Sequence, residues 1–594
     1  MLRGMPHLGI PLPNDDTSTS IFFADDSTLL SNSLTAAVEQ LDIVDEFCSV
    51  SGARLNHAKC TTLALNDHLD PADIMADGLL NILPSGQPAK YLGLLFGHRL
   101  AADYQVQRLN DKFLAAFQLW GSRARTLQGR KLIATTMLLS LLWHVTAAVH
   151  VPRPLVATWQ RMVNKYILGR KTSLSDQHRP LIHRTWQFDK ILGLGLPHVA
   201  SKIRSQRLLR LQQLMQPDPP DAPAPWKVLV RRQFSRTMDK LYRATHPFDF
   251  LLYYPNHSSK WLFLWELHPL WQDIWRQWAL TPMDQRIAVP PSLDVTMNLP
   301  MWLTTYDVLL AEPAGHASNV AKNPTIRRWC RHGANNGVRC LKDMLTRQGT
   351  WPTKTAFIAR MSVDNPAAIV EIAPSGSMVF GTPDRAGLVY AHLTKLVDQV
   401  FRTFQVRAGA SFPAISTTSH PFVTAVKDQP CAFEIWPKRY VTRLAFHAPA
   451  DARRHPTTTT TRATKDDIAR YMRLVRRTCR IPPPVHGDVW LRLVMHMLPV
   501  NSRFHYMQAV QPDAICCVYD NCHAVETQQH ALHVCSHVHP LWTFHATAWH
   551  CYGVNFDWVT ITNLDQFQVA PRGQQHKDAL FVLWVLLCAS NLHS

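Results

Sequence analysis

The chain has 594 residues, of which 46% are hydrophobic, and it contains 19 Trp and 24 Phe. This composition excludes a disordered chain and allows two to four globular domains of about 100–200 residues each. Lys and Arg number 62 against 43 Asp and Glu, giving a formal net charge of +19, which indicates either a polyanionic partner, most often nucleic acid, or a basic but otherwise ordinary protein.

Twelve cysteines in a chain of this length do not suggest a disulfide framework. The first residues, MLRGMPHLGIPLPNDD, lack the apolar segment of a signal peptide, so we expect a reducing compartment, in which clustered Cys bind metal. Residues 132–149 are apolar, but they number only 18 and include three Thr, one Ser and one His. Since a bilayer requires about 20 apolar residues, we expect a buried helix here and no membrane partner.

Two segments rich in Pro, Ala or Thr, 216–225 and 447–464, predict breaks between structured regions. The four predicted domains are residues 1–100, with strand and helix signals; residues 101–215, mostly helical; residues 226–446, Trp-rich and mostly helical, without a motif that we interpret; and residues 465–594, a basic helix and a Cys/His cluster.

In the first domain, a short apolar strand is predicted at 20–24, and two adjacent acids, Asp25 and Asp26, follow it directly. Carboxylates at a strand end are the hard oxygen ligands that Mg²⁺ prefers, and paired ions of this kind serve phosphoryl transfer. Without further context, such a pair is usually a solvated turn. Ser33 then predicts the N-cap of a helix. The predicted apolar face of this helix is Leu34, Val38, Leu41 and either Phe47 or Cys48.

The context of the two acids is more specific. Residues 23–26 are FADD, residues 51–59 are SGARLNHAK, and residues 91–97 are YLGLLFG. In this order and spacing they resemble the Y/F-A-D-D, S-G-L-x-x-N-x-x-K and Y-L-G-x-x-x-G boxes of reverse transcriptases of non-LTR (LINE-type) retrotransposons. The resemblance implies an α+β fold: a truncated palm, consisting of a small antiparallel sheet with a helix, then a largely α-helical thumb and a C-terminal body with a small zinc-binding module.

The resemblance also implies a role for residues of each box. Asp25 and Asp26 would hold Mg²⁺. Lys59 would lie near the incoming triphosphate as a charge partner or proton donor, or is a surface lysine. Tyr91 and Gly93 belong to a predicted hairpin that grips the primer end, where Gly permits close approach of the backbone.

A weaker likeness continues to about residue 200. Trp120 with LQGRKLI at 127–133, and Trp159 with LGLP at 194–197, resemble the segments that follow the palm in this family. Basic residues of this region would contact the phosphates of a primer–template duplex, or they form solvated helix faces. They are Arg123, Arg125, Arg130, Lys131, Arg161, Lys165, Arg170 and Lys171.

Near the C-terminus, Cys517, Cys522, His530 and Cys535 form the pattern C-x4-C-x7-H-x4-C. Soft and borderline ligands at this density suit a structural Zn²⁺. The pattern resembles the zinc-binding segment C-x-x-C…E-T-x-x-H-x-x-x-x-C…W of the same elements, with a longer gap between the first two Cys. A decayed site without metal is the alternative. The rival ligands are Cys516, His523, His533 and His537.

The function that the resemblance implies is RNA-directed DNA polymerisation on an RNA template with a DNA primer or target, which would be nuclear. The family also requires a third carboxylate, a fingers region and a nucleotide-holding box, and we recognise none of them in the 24 residues before Asp25. We therefore expect this chain as given not to polymerise DNA. The alternatives are a non-enzymatic nucleic-acid-binding remnant, consisting of the thumb and the zinc module, and a relic that does neither. The basic helix predicted at 465–480 would dock on template RNA or target DNA, or it forms a solvated face.

Overall fold

The computed structural model describes residues 1–12, 16–23, 26–66, 71, 80–218, 224–239, 249–252, 267–281, 293–298, 333, 337–338, 340–361, 370–372, 378–380, 383–406, 423–426, 429–451, 453–459 and 463–594. Unit 1 comprises Met1–Ala102, Ala148–His150 and Arg204–Ala445, and unit 2 comprises Asp103–Ala147, Val151–Ile203 and Phe446–Ser594. The described secondary structure is mostly helical with small antiparallel sheets, which confirms the α+β class.

The described sheets are two-stranded antiparallel pairs, and all of them lie in unit 1. The pairs in the first 100 residues are Ile10–Pro11 with Thr17–Ser18, Ser20–Phe23 with Asp26–Leu29, and Ala89–Tyr91 with Leu94–Phe96. The later pairs are Val370–Ile372 with Met378–Phe380, and Val423–Val426 with Gln429–Ala432.

The helix Leu34–Ser51 begins where the sequence predicts it. The hydroxyl of Ser33 accepts the backbone N–H of Ala36 at 3.1 Å, which satisfies one of the free donors of the first turn. The helix ends at Gly52, whose φ of 73° lies in the left-handed region that glycine adopts without strain.

The predicted apolar face of this helix is only half-buried. Leu34, Val38, Leu41 and Cys48 are half-buried and Phe47 is 54% exposed, whereas the buried residues are Ala36, Gln40 and Ile43. The amide of the fully buried Gln40 donates to the carbonyl of Leu8 at 3.3 Å, which satisfies this polar group. A long-range hydrogen bond therefore sets the orientation of the helix, which the spacing of apolar residues could not indicate.

The rest of unit 1 is packed around aromatic side chains. Trp275 and Trp278 are fully buried, and the ring of Trp278 lies 4.6 Å from that of Phe433. The buried guanidinium of Arg207 pairs with Asp273 at 2.7 Å. The described α-helices are Val199–Met215, of which the part from Arg204 belongs to unit 1, Pro225–Asp239, Pro269–Ala279, Leu293–Asn298, Leu341–Met344, Lys354–Met361, Pro383–Thr403 and Lys438–Ala445.

Unit 2 combines most of the predicted thumb, Asp103–Ala147 and Val151–Ile203, with the C-terminal segment that carries the Cys/His cluster. Phe113, Phe117, Trp159 and Tyr166 form an aromatic core in which Phe113 packs edge-on against Trp159 at 5.8 Å. Its α-helices are Tyr104–Trp120, Leu127–Ile133, Ser140–Ala148, Arg153–Gly169, Arg184–Phe188, the start of Val199–Met215, Lys465–Thr478, Pro484–Val494, His539–Ala548, Trp558–Thr562 and Lys577–His593.

The apolar stretch at 132–149 is not one continuous α-helix. A π-helical turn, Ala134–Leu138, separates Leu127–Ile133 from Ser140–Ala148. Among the described residues, no single helix is long and apolar enough to be a membrane span. The two parts Leu127–Leu138 and Ser140–Ala148, which meet at 42°, have that length and apolar character only when they are taken together.

Candidate functional site

Two residues of the FADD box pair across two antiparallel strands. Phe23 is the partner of Asp26 in the register of Ser20–Phe23 and Asp26–Leu29. Asp25 lies outside the described residues, and so does the side chain of Asp26. On the first strand Ile21 is 47% exposed and Phe22 is 57% exposed. The strand that precedes the predicted Mg²⁺ ligands thus exposes two apolar side chains to solvent.

The third box forms a tight hairpin. Tyr91 pairs with Leu94, leaving Leu92 and Gly93 as a two-residue loop with φ values of 46° and 83°. Two successive positive φ values are typical of the hairpin turn that follows the twist of the strands. A positive φ costs Leu92 about 1–2 kcal/mol, whereas Gly93 adopts a positive φ without strain.

Lys59 ends a short 3₁₀ turn, His57–Lys59, and is exposed. Neither an ion pair nor a side-chain hydrogen bond involves its amine among the described residues. Its role beside a triphosphate stays a prediction.

The predicted phosphate contacts of unit 2 fall into two groups. Arg123 and Arg125 are exposed, and the guanidinium of Arg123 lies over the ring of Trp120 at 5.1 Å. Of the other predicted cations, Arg161, Arg170 and Lys171 are exposed as well. These side chains can reach a ligand.

Arg130 does not agree with the prediction that it contacts phosphates. It is 3% exposed, and it donates to the carbonyls of Ile167 at 2.7 Å and Arg125 at 2.6 Å. Burial, with a smaller contribution from the nearby Arg492, lowers the pKa of Arg130 to about 10. Arg130 therefore links two segments of the core and is not accessible to a phosphate.

Two lysines are engaged in a similar way. The amine of Lys131 donates to the carbonyl of Leu194 at 3.0 Å, and burial lowers the pKa of Lys131. The amine of Lys165 donates to the carbonyls of Leu174 and Asp176, both at 2.6 Å. The sequence could not separate these structural cations from exposed ones, because the carbonyls that accept from them come close only in the folded chain.

The predicted metal ligands come together. One ligand atom from each of Cys517, Cys522, His530 and Cys535 lies within 4.8 Å of all the others. The Sγ atoms of Cys517 and Cys535 are 3.9 Å apart, and Sγ of Cys522 is 3.2 Å from Nε2 of His530. Cys535 is fully buried. These residues could hold a metal ion.

Local backbone structure creates this arrangement. A π-helical turn, His530–Val534, ends in a bond from the N–H of Cys535 to the carbonyl of His530 at 3.0 Å. This wider turn brings residues five positions apart onto one side, and such turns occur frequently at functional sites. The N–H of Cys517 donates to the carbonyl of Ala524 at 2.9 Å, which closes the loop that carries the first two ligands.

Glu526 holds that loop in place, a role that the sequence did not reveal. Its buried carboxylate accepts the backbone N–H of Asn501 at 3.0 Å and that of Val518 at 3.2 Å. The Asn501 amide also donates to the carbonyl of Cys516 at 2.8 Å. Glu526 thereby fixes the residues on both sides of Cys517 without touching the ligand atoms.

The rival ligands are turned to other partners. Cys516 is not a member of the four-residue group. His533 donates through Nε2 to the carbonyl of Phe556 at 2.7 Å, and His537 stacks on Tyr519 with 4.3 Å between ring centroids. His523 is exposed.

The Cys517 thiol keeps its proton when no metal is bound. Burial above all, together with hydrogen bonds with the thiols of Cys535 and Cys522, raises its pKa to about 11, against the opposing effect of the Tyr519 N–H. Neighbouring sulfur ligands resist deprotonation because their thiolates would repel each other. A metal ion reverses that balance, since it stabilises each thiolate directly.

No protein-family model matches this chain, and no curated protein matches it.

Proposed function

We propose that this chain is part of an RNA-directed DNA polymerase of the non-LTR retrotransposon type. The single observation that carries the proposal is the position of two box motifs at two antiparallel strand pairs: Phe23 and Asp26 of FADD pair where Ser20–Phe23 ends and Asp26–Leu29 begins, and Tyr91–Leu94 close the second pair. If Asp25 and Asp26 belonged to an ordinary solvated turn, there would be no reason to expect a second family motif that forms a Gly-containing hairpin.

In this function Asp25 and Asp26 hold Mg²⁺, which when bound activates the primer hydroxyl and stabilises the leaving pyrophosphate. Lys59, exposed at the end of its turn, supplies positive charge to the triphosphate. The hairpin around Gly93 approaches the primer backbone, because a glycine there leaves room for close contact.

Zn²⁺ is the ion that the Cys/His cluster suits best, because three thiolates and one imidazole are the ligands of structural zinc sites. Tetrahedral zinc with Zn–S bonds of about 2.3 Å places two sulfur atoms about 3.8 Å apart. The 3.9 Å between the sulfur atoms of Cys517 and Cys535 supports this assignment. In this proposal the zinc has a structural role and takes no part in nucleotide transfer.

The test combines binding with metal-directed cleavage of the polypeptide. We expect the purified chain to bind an RNA–DNA primer–template with an affinity that falls steeply with salt. With Fe²⁺ in place of Mg²⁺, ascorbate and peroxide should cut the polypeptide close to residue 25, and Mg²⁺ should compete. Asp25→Ala should abolish this cut, whereas Asp42→Ala, which removes an exposed acid from the neighbouring helix, should preserve it. No binding, or cuts that ignore Asp25, would overturn the proposal.

A second candidate is a nucleic-acid-binding protein without catalysis. The observation that favours it is the contrast between the ligand cluster of unit 2, whose four side chains come together, and the exposed apolar side chains of the first FADD strand, Ile21 and Phe22. Metal-directed cleavage separates the two candidates, because we expect this chain as given not to polymerise DNA. Cleavage near residue 25 that Mg²⁺ suppresses and Asp25→Ala abolishes favours the polymerase fragment, and nucleic-acid binding without that cleavage favours the second candidate.

A further inference from the structure

The helix Lys465–Thr478 has one buried face and one arginine face. Its buried residues include Ile468, Met472 and Val475, which pack into unit 2. The opposite face carries Arg473 and Arg477, and Arg480 follows in the turn after the helix; all three are exposed. Their spacing of four and three residues aligns them along one side of a helix.

Contacts at both ends fix this helix within unit 2. At its start, the hydroxyl of Thr464 accepts the N–H of Asp467 at 3.3 Å, and the Asp467 carboxylate accepts the N–H of Thr464 at 3.1 Å, which is a capping box. Near its end, Arg476 donates to the carbonyl of Gly193 at 2.7 Å. The three exposed arginines therefore project from a rigid support.

The exposed arginines lack the acidic partners that a structural face would have. Arg470 pairs with Asp467, one turn earlier in the helix. Arg473, Arg477 and Arg480 have no carboxylate within ion-pairing distance among the described residues. Like charges at this spacing repel each other by a few tenths of a kcal/mol per pair in water. A bound polyanion would replace that repulsion with attraction.

We propose that Arg473, Arg477 and Arg480, the arginine stripe, bind the phosphate backbone of a nucleic-acid duplex. From Arg473 to Arg480 the stripe extends about 10 Å along the axis, over which a DNA duplex carries about six phosphate charges. The aromatic residue of this helix, Tyr471, is buried, so the helix offers no exposed ring on which unpaired bases could stack. Guanidinium groups suit phosphates because they donate two parallel hydrogen bonds.

The assignment of the arginine stripe depends on the proposed function in one respect, namely that the binding partner is a nucleic acid. It binds duplex without regard to sequence, because phosphates carry no base information. It lies in unit 2, the unit that also holds the Cys/His cluster.

The experiment measures the affinity of the full chain for a labelled DNA duplex by fluorescence anisotropy across a series of salt concentrations. The test variant is R473Q/R477Q/R480Q. The matched control, R347Q/K438Q/R439Q, removes the same charge from exposed positions of unit 1. A third variant, R473K/R477K/R480K, keeps the charge and removes the paired donors.

We expect the test variant to bind duplex at least about tenfold more weakly, with a slope of log K against log salt that is smaller by about 2–3, since each phosphate contact contributes about 0.9. The control should stay within about twofold of the wild type, and the lysine variant should keep most of the slope.

Equal losses in the test and control variants would overturn the stripe, because net charge would then explain both. A loss confined to single-stranded RNA, or to vesicles of acidic lipid, would overturn it as well. A test variant that binds duplex like the wild type sinks this inference alone. A wild-type chain that binds no nucleic acid overturns both this inference and the proposed function.

Discussion

The backbone N–H of Leu127 donates to the carboxylate of Asp488 at 2.7 Å, across 361 residues of sequence. Leu127 opens the helix Leu127–Ile133, whose first N–H groups have no partner within the helix. Asp488 also accepts the Nε of Arg492 at 2.8 Å. One carboxylate thus joins the predicted thumb to the C-terminal segment of unit 2.

Asp488→Ala should lower the free energy of unfolding of unit 2 by about 1–3 kcal/mol, because a buried N–H loses its acceptor and Arg492 loses its partner. Asp488→Asn should cost less, since its amide oxygen can still accept from Leu127. Urea denaturation followed by tryptophan fluorescence measures both. The exposed Asp565→Asn serves as control. If all three variants stay within about 0.5 kcal/mol of the wild type, the link carries no stability.

We expect zinc binding to depend on the four residues of the ligand cluster, Cys517, Cys522, His530 and Cys535. The wild type should bind one equivalent of zinc, and Cys522→Ser should lose it, because three ligands hold the ion far more weakly than four. Cys516→Ser removes the neighbouring thiol that is not in the cluster, so it should retain the metal. Elemental analysis after dialysis measures the content, and a chelator should lower the melting temperature of the wild type. Zinc loss in Cys516→Ser with retention in Cys517→Ser would reverse the ligand assignment.

Glu526 should matter for metal affinity although it contacts no ligand atom. Glu526→Ala removes the acceptor of the N–H groups of Asn501 and Val518, so the ligand loop loses its fixed geometry. Replacing such supporting groups typically weakens metal binding about 10–100-fold. Competition with a chromogenic chelator measures the affinity. Asp520→Ala removes an exposed acid from the same loop and should have little effect; equal weakening in both variants would mean that general charge, and not position, is responsible.

The sequence predicted local features well and long-range ones poorly. Ser33 as a cap and the spacing of Cys517 to Cys535 depend on neighbouring residues, and the structure contains both the capped helix and the cluster. The burial of Gln40 depends instead on a distant carbonyl. Arg130 shows the same limit, because its two acceptor carbonyls become close only after folding. Periodicity cannot tell a cation that bonds within the core from one that faces solvent.

Unit 2 should lose stability as the pH falls from about 6.5 towards 4. Burial lowers the pKa of His198 to about 4, and burial also lowers the pKa values of His178, His455 and His496. As the pH falls, the unfolded chain binds protons at these histidines before the folded chain does. Their contribution to the free energy of unfolding is therefore fully present above pH 6.5 and is lost as the pH falls towards their pKa in the folded state. Allowing for its partial exposure, we expect about 2 kcal/mol from His198 alone.

His198→Asn tests this without removing the helix cap, because Nδ1 of His198 accepts the N–H of Ser201 at 3.3 Å and an Asn oxygen can do the same. Urea denaturation at several pH values should give a smaller loss of stability for His198→Asn than for the wild type. The exposed His550→Asn should follow the wild type. An unchanged pH dependence in His198→Asn would show that His198 does not titrate in this window.

Arg130 and Arg123 should behave in opposite ways, although the sequence predicts the same role for both. Arg130→Gln leaves the carbonyls of Ile167 and Arg125 without their donors and should lower the free energy of unfolding by about 2–3 kcal/mol. The folded fraction should still bind nucleic acid like the wild type. Arg123→Gln changes an exposed residue, so its stability should stay within about 0.5 kcal/mol of the wild type. Urea denaturation and anisotropy on the same samples separate the two effects. If Arg130→Gln is as stable as the wild type but binds nucleic acid more weakly, Arg130 contacts phosphates after all.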